Sequence, residues 1–254
     1  MSKDLLTICL PPTPPSEVMA ALDAAMAPFD YDNQGFEIWQ GEWDSWHVYG
    51  GYDGDGFVVT STNEADPRLI FNPSFPLGEP RERMPLRWDG GPRGLLDFAA
   101  TRAPVAAAAL ENRLAWQRFA AGYPPATSLS EFMARAHRDP AAYPVDRARQ
   151  DYFEQPVVQA VNASPETREL LPSSLDPVGY FGGSEEDFVQ SVTLRVIPKN
   201  HLLTLDGHWI DGTSDHWGSK LGLTGDYHQY YRFANDYLEN LAPECLVVRA
   251  RFHC

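Results

Sequence analysis

The chain has little cysteine: Cys9, Cys245 and Cys254 are the only three in 254 residues. They form no close metal-type pair, and an odd number cannot complete a disulfide framework, which makes a reducing cytoplasm the expected compartment. No apolar run reaches bilayer length. The run after Met1 is stopped at Pro11 and Pro12 before it attains the size of a signal peptide, so neither secretion nor a membrane span is expected. Positive charge is scarce as well: 20 Lys and Arg stand against 35 Asp and Glu, a formal charge of −15. That balance argues against non-specific binding to nucleic acid or anionic membrane. It suits solubility, and it also admits nucleic-acid mimicry or attraction to a basic protein partner. Gly-x-x-x-x-Gly-Lys, Gly-x-Gly-x-x-Gly and Gly-x-Ser-x-Gly segments are missing, so the sequence identifies no cofactor and no serine nucleophile.

What the chain does have is apolar and aromatic residues, 43% and 12% respectively, enough for a packed core. Residues 5–10 form a short apolar run closed by prolines and predict a buried strand. Val18, Leu22, Ala25 and Met26 then fall on one helical stripe, capped by Thr13 or Ser16 and ended at Pro28. Strand-like runs follow at residues 36–40, 46–49, 57–62 and 68–71, and residues 72–94 read as a loop. Ala, Leu, Arg and Gln dominate residues 94–121, a helical composition interrupted at Pro104. Further helices are expected at 128–137, 145–153, 156–163 and 184–192, the last opened by Ser184-Glu-Glu-Asp. A strand at 202–205 turns at Asp206-Gly207. A helix spans 226–241 with Tyr227, Tyr230, Ala234, Tyr237 and Leu241 on one stripe, and a final strand begins at Cys245.

Strands at both ends and helices in the middle predict an α+β fold, a ferredoxin-like or similar α/β sandwich. The N- and C-terminal strands share one sheet, and helices cover one sheet face. The expected organisation is a single domain over residues 1–254 with a mainly helical insert layer at about 94–192.

Three segments carry a resemblance. They are Ala27-Pro-Phe-Asp30, the aromatic-glycine segment Trp46-His-Val-Tyr-Gly-Gly-Tyr-Asp-Gly54, and Leu205-Asp-Gly-His-Trp209 ahead of a histidine-bearing final strand. In order and spacing they resemble an uncharacterised family of bacteriophage and actinobacterial proteins with a Trp-x-x-x-Gly-Gly segment, an Asp-Gly-x-Trp segment and an Asp-Cys-His ending. This chain departs from that pattern with Tyr52-Asp53 after the paired glycines, and with Arg251-Phe252-His253 at the end. The resemblance implies fold and topology and carries no activity with it.

Two stretches concentrate the chemistry. In residues 43–55 the aromatics Trp46, Tyr49 and Tyr52 surround His47, Gly50 and Gly51. The segment reads as a hairpin turn with core tryptophans, as a pocket wall whose glycine amides approach a ligand, or as a metal loop built on Asp53 and Asp55. In the final strand, alternation sets Val247, Arg249, Arg251 and His253 on one face. Guanidinium forks there suit phosphate or carboxylate, or else pair with carboxylates from the helical insert. A metal assembled from His47, His253 and an Asp or Cys254 requires their strands to be neighbours, and no local ligand pair supports one. Gly179-Tyr-Phe-Gly-Gly183 reads as a loop or lid.

The expected function is therefore a small-molecule enzyme or ligand-binding protein with a pocket between the sheet and the helical insert. Its substrate is anionic: phosphorylated, nucleotide-like or carboxylated. His253 and His47 serve as acid–base groups for hydrolysis or group transfer, while Arg249, Arg251, Trp46, Tyr49, Tyr52 and Trp209 bind the substrate. The alternative is a non-enzymatic acidic interaction protein, a phage-type inhibitor that occupies a basic surface on a host or defence protein.

Overall fold

The structure is a computed structural model and describes residues 3–31, 42–74, 80, 82–163, 176–212 and 227–253. The strand expected at residues 36–40, as well as His216 and Cys254, lie outside these residues. The chain divides into two compact units, Met1–Pro104 with Thr193–Cys254, and Val105–Val192.

The first unit is α+β. Its main sheet contains β1 (Lys3–Leu10), β2 (Ser45–Val48), β5 (Gly90–Pro92), β7 (His201–Leu203), β8 (Trp209–Asp211) and β9 (Leu246–His253). The strands run in the order β2-β9-β1-β7-β8, with β5 also on β9. N- and C-terminal strands are thus direct neighbours. β1 and β9 pair antiparallel over their whole length, from Lys3 opposite His253 to Leu10 opposite Leu246. β2 and β5 divide the outer edge of β9 between them. Val48 lies opposite Ala250 and Gly90 opposite Val248. Between these rungs the Arg249 backbone is closed from both sides, donating to the Asp89 carbonyl at 2.7 Å and accepting from the Tyr49 amide at 3.0 Å. A smaller sheet joins β3 (Phe57–Val59), β4 (Arg87–Trp88) and β6 (Leu96–Asp97) in the order β4-β3-β6. Both β4 and β5 fall inside the stretch expected to be loop. They are too short and too rich in glycine, proline and arginine to show a period-two pattern.

Helices cover both faces of the main sheet rather than one. α1 (Val18–Met26) buries Val18, Leu22 and Met26 against Leu6, Ile8, Val248, Ala250 and Phe252. α8 (Tyr227–Glu239) buries Tyr230, Tyr231, Ala234 and Leu238 on the opposite face, against Cys9, Val247, Leu202 and Phe57. The reason lies in β1 and β9 themselves: both alternate faces, and both faces carry apolar residues, so each needs its own cover. Each fully buried aliphatic side chain in these layers contributes roughly 1.5–3 kcal/mol.

The second unit is helical. α2 (Phe98–Ala120) enters it from the first, and α3 (Leu129–Arg138), α4 (Val145–Phe153), α5 (Pro156–Ala163), α6 (Pro177–Tyr180) and α7 (Glu185–Thr193) follow. Pro104 lies inside α2 without ending it. The ring removes one backbone donor, and the alanine-rich flanks, the best helix formers, carry the helix across that gap. α3 opens with a capping box, in which the Ser128 hydroxyl accepts from the Glu131 amide while the Glu131 carboxylate accepts from the Ser128 amide. Buried Arg113 donates to the carbonyls of Phe181, Gly182 and Gly183, so the glycine-rich 179–183 segment is tied down by a guanidinium. Among the described residues no helix is long and apolar enough to cross a membrane.

Candidate functional site

The two arginines of β9 lie on one sheet face, two residues apart, in different surroundings. Arg249 is fully buried opposite Thr7. Its guanidinium donates to the Thr7 hydroxyl and to the carbonyls of Val196 at 3.2 Å and Asp55 at 3.3 Å, and its carbon lies 4.6 Å from the Phe57 ring centroid. Thr7 in turn donates to the Ile197 and Pro198 carbonyls. Among the described residues no carboxylate lies within salt-bridge distance of Arg249. Burial therefore lowers its pKa to about 10, with Asp55 acting in the opposite direction. This arginine organises the interior.

Arg251 lies one step nearer the end of the strand and is partly exposed. Its guanidinium carbon is 3.4 Å from the Tyr49 ring centroid, and its nearest carboxylate oxygen, on Asp53, is 3.9 Å away. Nothing else among the described residues engages its donors. His47 lies directly opposite it on β2, and the His47 ring packs edge-on against Tyr49 at 5.7 Å. Tyr52 adds a second edge-on contact with Tyr49 at 5.0 Å.

His253 completes the row. Its Nδ1 lies 2.7 and 2.8 Å from the two carboxylate oxygens of Asp44, and the Asp44 amide donates to the His253 carbonyl. That bond holds the Asp44 carboxyl below its usual range. Nδ1 is committed to a carboxylate, and Nε2 has no partner among the described residues. Ser45, across from His253, aims its hydroxyl at Asp44 at 3.1 Å, so the serine is directed to the carboxylate instead of the imidazole. His47 and His253 are diagonal neighbours on one face, with Arg251 between them in register.

The aromatic-glycine segment is a closed turn. Gly56 donates to the Gly50 carbonyl at 2.7 Å, and Asp89, only 1% exposed, accepts from the Gly51 amide and the Asn72 amide, each at 2.6 Å. The Gly51 amide is thus spent on Asp89 and is not offered to a ligand. Burial outweighs both hydrogen bonds and raises the Asp89 carboxyl to about 6. The turn directs Asp53 and Asp55 at donors: the Tyr49 hydroxyl donates to Asp53, and Lys199 Nζ holds Asp55 at 2.7 Å. The partners of the two β9 arginines therefore come from this turn, from Thr7 on β1 and from the Val196 carbonyl. Among the described residues no group of three or more His, Cys, Asp or Glu side chains is placed to hold a metal ion.

Trp46 and Trp209 are on the other face. Trp46 neighbours His47 in the strand and so points oppositely, into the α1 core. Trp209 packs on Phe29, Phe252 and His201 there. Of the eight candidate residues, then, His47, Tyr49, Tyr52, Arg249, Arg251 and His253 gather on one face and the two tryptophans do not.

Several ionisable residues of the structure were not legible as candidates. Asp44 stands only two residues from Trp46, yet its partnership with His253 follows from strand register. Lys199 sits at a positive φ of 56°, beyond any motif. His201 lies between Asp4 at 3.2 Å and Asp211 at 3.5 Å on the α1 face. The sole advance signal was the crowding of five of the seven histidines into the last 54 residues. Compared with protein-family models, curated proteins and solved structures, the chain matches none.

Proposed function

We propose that this protein binds a small anionic molecule, phosphorylated or carboxylated, at Arg251 and performs acid–base chemistry on it through His253. The observation that carries this reading is the contrast on β9. Arg249 has its donors spent on internal acceptors, whereas Arg251 lies on an aromatic platform with a single carboxylate, Asp53, at 3.9 Å. It does so beside a histidine whose second nitrogen is held by a carboxylate. Guanidinium forks match phosphate and carboxylate oxygens, and an imidazole oriented by a carboxylate is suited to taking and returning a proton near neutrality. Asp44 is the positioning residue, and His47 is the second titratable group on the same face.

The hydroxyl opposite His253, on Ser45, is bonded to Asp44 and not to the imidazole, which favours activation of water or of a ligand hydroxyl. Hydrolysis or group transfer is the reaction class this supports. The test is a thermal-shift panel of phosphate monoesters, nucleotides and small carboxylates on wild type and on the Arg251→Ala/His253→Ala double variant. Stabilisation of wild type by one class, lost in the variant, supports the site. An unchanged response overturns it and leaves the acidic interaction protein as the reading to pursue.

A further inference from the structure

Asp53, the carboxylate beside Arg251, is fixed by groups other than that arginine. The Tyr49 hydroxyl donates to its Oδ2 and the Asp55 amide to its Oδ1 at 3.2 Å. The guanidinium Nη2 stays 3.9 Å from Oδ2, beyond hydrogen-bonding range. Tyr49 thus acts twice: its ring carries the Arg251 guanidinium at 3.4 Å, and its hydroxyl anchors the aspartate next to it. Burial, with the like charge of Asp55 added, raises the Asp53 carboxyl above its ordinary value, so negative charge is already crowded at this end of the turn.

The charges on this part of the face offset one another. Asp44, held on His253, supplies a second carboxylate, and Lys3, opposite His253 on β1, supplies a second and exposed cation. Asp55 is matched by Lys199. Arg251 and Lys3 therefore stand against Asp53 and Asp44, and the face has no surplus of positive charge with which to hold a dianion.

We propose that Asp53 sets the charge of the ligand at this site, admitting a planar monoanionic carboxylate to the Arg251 fork and turning away a dianionic phosphate monoester. The inference rests on the reading of Arg251 as the anion-binding residue and narrows the ligand class of that site. A flat carboxylate matches one guanidinium edge with two parallel hydrogen bonds, and Tyr49 covers the guanidinium face, which leaves the edge for them. Repulsion from the fixed Asp53 carboxylate acts on one charge of such a ligand but on both charges of a phosphate monoester.

The test compares benzoate with phenyl phosphate at pH 7.5 and constant ionic strength, with dissociation constants taken from backbone amide shifts in NMR titrations. Wild type should bind benzoate about tenfold more tightly than phenyl phosphate. Asp53→Asn should strengthen phenyl phosphate by about tenfold more than it strengthens benzoate, because the charge removed had opposed two charges in one ligand and one in the other. Asp53→Glu, which restores the charge, should keep the wild-type preference, with the folding of each variant checked by circular dichroism. Tighter binding of phenyl phosphate by wild type, or equal strengthening of both ligands in Asp53→Asn, overturns the proposal while the anion site at Arg251 stands. Affinities for both ligands that are unchanged in Arg251→Ala overturn the site and the proposal together.

Discussion

Arg249 and Arg251 point from the same face of one strand, 0% and about one-quarter exposed, and only the first is enclosed by acceptors. The pair separates a cation enclosed by internal acceptors from one with a single carboxylate at 3.9 Å. Replacing Arg249 by Met should cost about 2–4 kcal/mol, because the Thr7 hydroxyl and the Val196 and Asp55 carbonyls lose their donor inside the core. Arg251→Ala removes mainly a ring contact and should cost less than about 1 kcal/mol. Urea denaturation of the two variants measures the difference.

The Asp44–His253 contact makes a prediction about a proton. With Nδ1 donating to a carboxylate, neutral His253 should carry its hydrogen on Nδ1, the minority tautomer of free imidazole. Two-bond nitrogen–proton NMR on the wild type should show this pattern, and Asp44→Ala should shift it toward Nε2–H. A wild-type spectrum already dominated by Nε2–H would contradict the contact.

Asp89 gives a pH dependence with a definite sign. Its folded pKa is about 6 against an ordinary 3.8, so between those values the folded chain binds the extra proton. Stability contributed by this group therefore falls as pH rises from about 4 to about 6. Asp89→Asn should remove that slope. It should also lower stability at pH 4 by about 1 kcal/mol, because an amide oxygen replaces two acceptors for the Gly51 and Asn72 amides. Comparing unfolding of the two proteins across the window isolates the group from other carboxylates.

Two glycines should respond differently to alanine. A Cβ on Gly56 would fall 2.5 Å from the Trp88 carbonyl oxygen and 2.8 Å from Gly51 Cα, both backbone. Gly56→Ala should cost more than about 2 kcal/mol by forcing the turn off β4. Gly207 has a φ of +77° but open space around it, so Gly207→Ala should cost only about 1 kcal/mol of backbone strain. Thermal melts order the two.

Much of the fold could be read in advance because it depends on near neighbours in the chain. Proline stops, the Val18-Leu22-Met26 stripe, the Asp206-Gly207 turn and the alternation of the last strand all express local backbone preferences, and each element appears at its expected place within a few residues. The placement of helices did not follow so directly. Apolar residues on both faces of β1 and β9 required a second helical cover, which a one-sided sandwich omits.

The candidate site divides along the same line. The sequence by itself determined that Arg249, Arg251 and His253 share a face, since strand alternation is a property of the backbone. Alternation also puts Trp46 opposite His47, so the pocket wall that joined them asked adjacent residues of one strand to point the same way. Only the tertiary structure decided which arginine is occupied and which is open. The acceptors around Arg249 come from residues 7, 55 and 196, and the carboxylate on His253 comes from residue 44. Contacts across such separations are fixed by strand register and turn closure, which depend on the packing of the whole sheet and leave no short-range mark in the chain.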